Sequence, residues 1–475
     1  MPSHATKVLM GFYFYPRGGS AHAARAIANE LECTNFDVTI LAGSRSDLGD
    51  DALADHFFPR GDLSIVDFVP ALESLEVSSE FDDDEDAPMH GSYEDRPDAP
   101  DPVFATLDDE AFEVHVEAWT RELAGAGAGA NDVLYLHHLT PINEAALRGF
   151  PDVPVVGHVH GSELLMLERI CRGAPSHWEQ AEEWAERIFR WAAGCERIVV
   201  NSPEGRDRAA DLLDLDPSRF VLVPNGFDPS FEPLDVDRRA HWRRHLVESP
   251  RGWSPDSEPG SVRYVEEDLA VLDGPTLLYS GRFTEVKRLT LLIEAFAHAR
   301  DSLSTPAALV LLGGYPGEWE GEHPIETVER LGVGGVFLAG WHGHDELPRF
   351  LSAADVLVHA SVREQFGQVL VEAMACGLPV IAVDRGGPAT IVDDGESGWL
   401  VAPDDRDAMS AAMAEAVNDA DLRRKRGRRA LEVAGERYTW EQIGERLGAM
   451  IDEVLSGADG SRRELEAELP GSTVV

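Results

Sequence analysis

The sequence contains very little lysine. Lys7, Lys287 and Lys425 are the only lysines in 475 residues, so 38 of the 41 basic residues are arginine. The 86 acidic residues give a formal net charge of −45 and a pI near 4.6. A chain of that charge repels nucleic acid and anionic lipid headgroups, which argues against both as partners. The composition also predicts a halophilic protein from an acidic proteome, because molar salt shortens the Debye length to about 3 Å and screens the self-repulsion.

Cysteines and long apolar runs are also scarce. The four cysteines (Cys33, Cys171, Cys195 and Cys376) lie far apart and form no CxxC pair, so we expect reduced, buried thiols and no metal site built on them. No stretch approaches the roughly 18 apolar residues of a membrane-spanning helix. The first residues lead directly into a strand-like segment without the apolar core of a signal peptide. We expect a soluble cytoplasmic protein, with loose attachment to the inner membrane face left open.

The hydrophobic pattern predicts an α/β protein of two or three domains. In the first half, predicted strands cover residues 7–14, 37–42, 132–136, 153–158, 197–201 and 220–224, and predicted helices cover 21–31 and 178–193. In the second half, predicted strands cover residues 276–280, 309–312, 336–338, 356–359, 380–383 and 399–401, and predicted helices cover 289–299 and 346–353. Such alternation predicts two parallel sheets, each covered by helices on both faces.

Two polar segments interrupt this alternation. Residues 71–113 contain 16 acidic residues and one arginine, with five consecutive acids at 82–86, and predict a solvated insertion. A cation-binding role is the alternative. Residues 229–273 are polar with scattered tryptophans and predict a linker plus an insertion. The predicted domains are 1–228, 274–435, a terminal helix at 436–455 crossing back to the N-terminal domain, and a flexible tail at 456–475.

The most informative motif is Glu364-Gln365-Phe366-Gly367, followed by Glu372. We interpret it as a loop, a short helix and then a buried strand. Gly367 would lie at the helix start, where free N–H groups and the helix dipole favour an anion. Glu372 would lie about 7 Å further along the axis. This spacing suits a nucleotide-sugar, although either glutamate taken alone is more simply a solvated surface residue.

The pair of carboxylates eight positions apart resembles the E-x7-E signature of glycosyltransferase family 4, whose members are retaining enzymes with the GT-B fold. The resemblance is strongest over residues 276–403, and it extends to Pro224-Asn225-Gly226-Phe227-Asp228 and to an N-terminal glycine loop. It implies two Rossmann-like domains facing each other across a cleft. It also implies transfer of a sugar from a UDP- or GDP-linked donor to a hydroxyl acceptor such as a sugar, a polyol or a lipid-linked glycan.

The same resemblance implies roles for individual residues. Glu364 would bond the hydroxyls of the transferred sugar, and Glu372 would bond the ribose. Arg282 and Lys287 follow a predicted strand and would hold the diphosphate, since a guanidinium fork and a compact ammonium both suit it; two surface cations are the alternative. The further donor-binding residues that we predict are Gly19, Gly314, Trp341, His342, Phe366, Gly367, Gln368 and Val369. Trp341 either stacks on the base or is a partly buried aromatic residue.

In the first half, Gly18-Gly19-Ser20 is predicted to form a turn before the first helix and matches the family's glycine loop. The sequence lacks a full G-x-G-x-x-G, which argues against a dinucleotide oxidoreductase. His160 is predicted to end a buried strand and matches the family's cleft histidine, so we predict a catalytic role for it. We expect two of the four histidines His137, His138, His158 and His160 to be structural or solvated. A metal site built from all four fits no standard zinc spacing.

The resemblance implies neither a cofactor nor a metal, because Arg282 and Lys287 supply the positive charge and a phosphate oxygen takes the acceptor's proton. Three alternatives stay open. The first is a nucleotide-sugar-binding protein without catalysis, and the second is an isomerase on the same fold. The third is a phosphorylase using pyridoxal phosphate, which would need Lys287 or Lys425 as its Schiff-base lysine.

Overall fold

In the computed structural model of the protein, the described residues are 5–16, 18–58, 62–72, 90–93, 95, 101–317 and 319–467. The five consecutive acids at 82–86, and with them much of the predicted acidic insertion, lie outside the described residues. The chain divides into two compact units. The N-terminal unit comprises Met1–Pro224 and Trp440–Val475, and the C-terminal unit comprises Asn225–Thr439.

The N-terminal unit is built on a parallel seven-stranded sheet of order β3-β2-β1-β4-β5-β6-β7. Its strands are β1 Thr6–Phe12, β2 Phe36–Ser44, β3 Asp62–Asp67, β4 Val133–His137, β5 Val155–His158, β6 Arg197–Val200 and β7 Phe220–Leu222. The helices in its first segment are α1 Gly18–Glu32, α2 Ala54–Phe57, α3 Asp109–Gly125, α4 Pro141–Gly149, α5 Ser162–Gly173, α6 Ala181–Gly194 and α7 Pro203–Leu213. Along β1, Val8 and Met10 pack into one core and Leu9 into another, because successive side chains point to opposite faces of the sheet.

The C-terminal unit is built on a parallel six-stranded sheet of order β10-β9-β8-β11-β12-β13. Its strands are β8 Thr276–Gly281, β9 Ala308–Gly313, β10 Val336–Gly340, β11 Val356–His359, β12 Val380–Val383 and β13 Gly398–Val401. Its helices are α8 Arg238–Arg243, α9 Leu289–Ala299, α10 Pro324–Leu331, α11 Leu347–Ala353, α12 Gln368–Ala375, α13 Pro388–Ile391, α14 Arg406–Asn418 and α15 Ala420–Arg437. In a parallel sheet the carboxyl ends of all strands lie at one edge, so the loops after β8, β9, β10 and β11 are brought together.

The last helix, α16 Trp440–Ala467, belongs to the N-terminal unit. Ile443, Leu447 and Ile451 on α16 are buried in the same core as Ile27 and Leu31 of α1. The helix continues through residues that the sequence predicted to be a frayed tail from 456 onward. Residues 468–475 of that predicted tail lie outside the described residues.

The segment at 229–273, predicted to be a linker plus an insertion, contains regular structure. It contains α8, a π-helical stretch at Arg244–Glu248 and a 3-10 helix at Glu266–Asp273. Trp242, Leu246 and Trp253 are fully buried in the cores of the C-terminal unit. Scattered tryptophans in an otherwise polar segment thus anchor it to the sheet, because each large aromatic side chain buries much apolar area.

Two local predictions in the N-terminal unit also change. The helix α1 begins at Gly18 rather than at Ala21, so the predicted turn is its first turn. The edge strand β3 was not predicted, because most of its side chains are at least partly exposed and it lacks a continuous apolar run. Within the described part of the chain, no helix combines the length and apolar composition needed to cross a membrane.

Candidate functional site

The loop between β11 and α12 carries the Glu364 motif. Gly367 has a φ of +102°, a left-handed conformation that favours glycine, and it ends the loop one residue before α12. Phe366 is buried and its ring packs edge-on against Tyr438 at 6.0 Å. The N–H of Gly387 donates a hydrogen bond to the carbonyl of Glu364 at 3.0 Å. The loop is therefore fixed at the backbone of Glu364 and at the side chain of Phe366.

Glu364 lies between two cationic or polarisable partners. Its Oε2 contacts the ammonium of Lys287, and Nε2 of His359 lies 3.4 Å from the same oxygen. Burial alone would raise the pKa of Glu364, but His359 and Lys287 outweigh it and lower the pKa to about 2. Burial lowers the pKa of His359 despite the neighbouring carboxylate. At neutral pH Glu364 is thus a carboxylate. Its side chain is 21% exposed.

Arg282 and Lys287 lie in the loop that follows β8. The hydroxyl of Tyr279 donates to the carbonyl of Arg282 at 2.7 Å, which fixes the turn after the strand. The Arg282 side chain is exposed, whereas Lys287 is half-buried against Glu364. The fold therefore brings Lys287 to Glu364 directly, and it places Arg282 at the end of the same strand, open to solvent.

Glu372 occupies the buried side of α12, five residues after Gly367. Glu372 is 3% exposed, and its Oε1 lies 2.9 Å from Nε2 of His344 in the loop after β10. A buried carboxylate at this depth needs a polar partner, and His344 supplies one. The interpretation of Glu372 as a solvated surface residue is wrong. Its predicted bond to a ribose stays a prediction.

Gln368 and Val369 form the first turn of α12. The side-chain amide of Gln368 donates to the carbonyl of Gly226 at 2.6 Å, and Val369 packs partly buried against the core. This bond joins α12 to the Pro224–Asp228 motif. The amide of Gln368 therefore has a partner within the protein, and its predicted contact with a donor stays a prediction.

Gly314 lies just after β9 and has a φ of +68°. A Cβ at Gly314 would meet the ring of Phe283 at 2.5 Å, and its N–H donates to the carbonyl of Gly281 at 3.2 Å. Packing against the end of β8 thus already requires a glycine here. Its predicted contact with a donor stays a prediction.

The loop after β10 carries Trp341 and His342 in contrasting environments. Trp341 is 53% exposed, which leaves an indole face available for stacking. His342 is buried, and its Nδ1 lies 3.1 Å from Oε2 of Glu346. Of these two, the exposed Trp341 therefore has the geometry expected of a base-binding side chain.

In the N-terminal unit, four histidines meet at the carboxyl ends of β4 and β5. Nδ1 of His137 lies 2.9 Å from Nε2 of His160, and the rings of His158 and His160 stack with centroids 4.1 Å apart. The ring of His138 lies 4.6 Å from that of His160. Strand β5 ends at His158, so His160 lies two residues beyond the strand that it was predicted to end.

Burial sets the protonation of this histidine cluster. It lowers the pKa of His158 to about 3 and holds the pKa of His160 well below its usual range, and the neighbouring imidazoles lower both further. Glu163 is fully buried beside the cluster, and its carboxylate accepts the N–H groups of His160 at 3.1 Å and Gly161 at 2.8 Å. His160 is thus a neutral imidazole on a loop fixed by a buried carboxylate. Gly19, in the first turn of α1, is exposed.

Two groups of described side chains have the composition of a metal site. One ligand atom each from His137, His158 and His160 lies within 4.8 Å of the others, and the same holds for His245, His342 and Glu346. The sequence spacing argued against a zinc site among the four histidines, yet the fold brings three of them together. The predicted lack of a metal cofactor stays a prediction.

The family is decided by sequence comparison. The family model described as "Glycosyltransferase Family 4" matches residues 108–231, and that described as "Glycosyl transferases group 1" matches residues 265–433. Together these matches cover more than half of the chain. The chain belongs to glycosyltransferase family 4. The resemblance stated from the E-x7-E motif is confirmed.

Curated relatives match this member of family 4 over part of their length. D-inositol 3-phosphate glycosyltransferase of Stackebrandtia nassauensis is 31% identical over 57% of this chain and 57% of its own. Alpha-maltose-1-phosphate synthase of Mycolicibacterium smegmatis is 34% identical over 56% of this chain and 65% of its own. The matched part of the chain thus spans less than two thirds of either relative.

Solved structures show the fold of this member of family 4. HepE of Anabaena in complex with UDP and glucose has a TM-score of 0.64 at 17% identity, covering 94% of this chain and 99% of its own. Sucrose-phosphate synthase of Thermosynechococcus elongatus has a TM-score of 0.63 at 18% identity, covering 95% of this chain and 100% of its own. Together with the two parallel sheets, these likenesses confirm the predicted GT-B fold.

Four residues of the candidate site were not identified from the sequence of this member of family 4. They are His359 and His344, which contact the two motif glutamates, Gly387, which fixes the loop backbone, and Glu163, which fixes the His160 loop. His359 was read only as the last residue of a strand. A polar residue that ends a buried strand of a parallel sheet is the signal that could have identified it.

Proposed function

We propose that the chain is a retaining glycosyltransferase that moves a sugar from a UDP- or GDP-linked donor to a hydroxyl acceptor. The observation that carries the proposal is the ionised Glu364, held by Lys287 and His359 at the carboxyl ends of neighbouring strands β8 and β11. An ionised carboxylate beside a lysine can stabilise positive charge at the sugar while the lysine stabilises negative charge on the leaving diphosphate.

The proposed donor lies along the carboxyl ends of the strands in the C-terminal unit. The N–H groups at the start of α12 and the side chains of Arg282 and Lys287 would hold the diphosphate. Glu372 would accept hydrogen bonds from the ribose, and Trp341 would stack on the base. Both known contacts of Glu364 use Oε2, so we assign the hydroxyls of the sugar to Oε1.

The proposed acceptor binds to the N-terminal unit beside His160 and Gly19. A neutral His160 can accept or donate one hydrogen bond to a hydroxyl of the acceptor. A phosphate oxygen of the donor would take the acceptor's proton, so the proposal assigns no protein side chain as the base. Catalysis in this scheme uses positioning and electrostatics and does not require a metal.

The test uses the full chain in molar salt. Thermal unfolding is first measured against a panel of UDP- and GDP-sugars, since a ligand that binds the folded state raises Tm. The donor that raises Tm is then incubated with an acceptor panel that begins with D-inositol 3-phosphate, the compound in the name of the Stackebrandtia relative. Products are analysed by mass spectrometry, and NMR reports the configuration of the new bond.

The outcomes separate the alternatives. A transfer product with the configuration of the donor supports the proposal. Binding of a donor without transfer to any acceptor of the panel favours a nucleotide-sugar-binding protein. Conversion of the donor sugar in the absence of an acceptor favours an isomerase. Absorbance of a bound pyridoxal phosphate would favour a phosphorylase, although Lys287 contacts Glu364 and Lys425 lies exposed on α15.

A further inference from the structure

Three imidazoles surround the ring of Phe350 in the C-terminal unit. The ring centroids of His241, His245 and His342 lie 4.5, 4.6 and 4.5 Å from that of Phe350. His241 and His245 come from the segment at 229–273, and His342 comes from the loop after β10. The three histidines thus connect two parts of the chain that are about 100 residues apart in sequence.

A carboxylate lies beside these imidazoles. One ligand atom each from His245, His342 and Glu346 lies within 4.8 Å of the others. Nδ1 of His342 and Oε2 of Glu346 are 3.1 Å apart, and the rings of His241 and His245 have centroids 4.6 Å apart. His241 and His245 are four positions apart in consecutive helical segments, the separation that places two side chains on one face of a helical turn.

Aromatic packing alone does not account for this cluster. Nε2 of His241 and Nε2 of His342 are buried, and neither has a hydrogen-bond partner among the described residues. A buried polar atom without a partner costs about 1–3 kcal/mol, whereas phenylalanine or leucine would pack on Phe350 without that cost. Nitrogen atoms at these positions therefore indicate a ligand that they could bind.

The electrostatic state of the cluster suits a metal cation. Neutral imidazole is the form of histidine that binds metals, and Glu346 adds a carboxylate to the imidazoles here. The guanidinium of Arg251 lies 3.2 Å from Glu346, so this carboxylate already attracts a cation. Because 45% of the Arg251 side chain is exposed, it can move into solvent when a metal replaces it.

We propose that His245, His342 and Glu346 bind one divalent transition metal, with His241 positioned beside them as a further nitrogen ligand. Imidazole nitrogens combined with one carboxylate are the ligand set that Zn²⁺ takes in proteins, and Ca²⁺ and Mg²⁺ prefer oxygen ligands. The metal would fasten the 229–273 segment to the loop after β10, which carries Trp341. The metal ion itself takes no part in the proposed sugar transfer.

The test is a Co²⁺ titration of the full chain after removal of metals with a chelator. Tetrahedral Co²⁺ bound by nitrogen and oxygen has a strong visible absorption, and we expect it to saturate at one Co²⁺ per chain. His245→Phe keeps an aromatic ring on Phe350 but removes the ligand atom, and Glu346→Gln removes the charge. Each should weaken Co²⁺ binding at least about tenfold, and Zn²⁺ should displace the Co²⁺ signal. His298→Phe, at an exposed position on α9, is the matched control and should bind as the wild type does.

His158→Phe identifies which histidine group binds the metal. Absorption that is lost in this variant but kept in His245→Phe and Glu346→Gln would assign the metal to the N-terminal unit and overturn the proposal. A wild-type chain that develops no Co²⁺ absorption would overturn it as well. Circular dichroism checks folding, and if His245→Phe does not fold, Glu346→Gln decides, because its side chain is 32% exposed and tolerates substitution.

Discussion

The ammonium of Lys287 contacts the carboxylate of Glu364, although 77 positions separate the two residues in the sequence. The contact joins the loop after β8 to the loop after β11, two strands that are neighbours in the sheet. Before any ligand binds, the contact keeps Glu364 ionised, and the carboxylate neutralises the positive charge of Lys287. We expect a bound diphosphate to draw the lysine toward itself, since a phosphate carries more charge than the carboxylate.

Glu364→Gln should lower kcat by about 10²–10³-fold, the usual effect of removing one electrostatic contact to a transition state. Affinity for the nucleoside diphosphate should change less than about twofold, because the proposed contacts of Glu364 are to the sugar. Both are measured by steady-state kinetics and by calorimetry with the free diphosphate. Glu396→Gln, at an exposed position, is the control. Wild-type turnover in Glu364→Gln would remove Glu364 from the site.

Glu372→Gln should weaken nucleoside-diphosphate binding by about tenfold to a hundredfold. A hydrogen bond to a charged group contributes about 1.5–3 kcal/mol, and glutamine keeps the shape while losing the charge. Turnover at saturating donor should fall much less than in Glu364→Gln. Calorimetry measures the affinity, again with Glu396→Gln as the control. An unchanged Kd would show that the buried Glu372–His344 contact is structural.

Glu364 should stabilise the folded protein at neutral pH and lose this effect in acid. Its pKa of about 2 is below the ordinary value of 4.5, so the stabilisation is complete above about pH 5 and is lost as the pH falls toward 2. The advantage of the wild type over Glu364→Gln in the free energy of unfolding should therefore shrink by about 1 kcal/mol between pH 7 and pH 3.5. Urea unfolding of both proteins at each pH measures it. A constant difference would contradict the ion pair.

Gly387→Ala should destabilise the chain by more than about 2 kcal/mol and lower activity as well. A Cβ at Gly387 would lie 1.9 Å from the carbonyl oxygen of Phe366, so the Glu364 loop must move. Gly435→Ala is the control, and its expected effect has the opposite sign. Gly435 lies within α15 and an added Cβ would meet no atom within 4 Å, so alanine should stabilise the folded protein by about 0.5–1 kcal/mol. Equal stabilities of the two variants would contradict the close approach.

The melting temperature should rise steeply between 0.1 and 2 M KCl. At a net charge of −45 the folded chain repels itself, and the Debye length falls from about 10 Å at 0.1 M to less than about 3 Å at 2 M. Differential scanning calorimetry across the salt series measures the shift. A neutral osmolyte at equal osmolarity is the control, since it leaves the charges unscreened. A Tm that stays level in KCl would argue against adaptation to salt.

Most of the strands could be predicted from the sequence, because buried parallel strands appear as short apolar runs. The predicted strand at 356–359 and the helix at 289–299 agree with the structure residue by residue. The Glu364 motif could be placed before a helix because Gly367 marks the turn. Partners contributed by other strands could not be predicted in this way, since His359 and His344 meet the glutamates only through the sheet order.

Polarity concealed part of the structure in two segments. The segment at 229–273 was interpreted as a linker plus an insertion because it is polar and charged, and Trp242 and Trp253 within it are fully buried. The sequence from 456 onward was interpreted as a frayed tail because its apolar periodicity is weak, and α16 continues to Ala467. In both cases a few large side chains, or simple continuation of a packed helix, decide the structure against the average composition.

The assignment of α16 to the N-terminal unit determines when that unit can complete its core. A ribosome reaches Trp440 only after the whole of Asn225–Thr439 has been made. Until then the apolar side of α1 has no Ile443, Leu447 or Ile451 to cover it. The unit that is made second comes from one uninterrupted stretch and can fold first. A gene cut after residue 224 would therefore yield an N-terminal fragment lacking its last helix, whereas a fragment of residues 225–439 keeps all of its own elements.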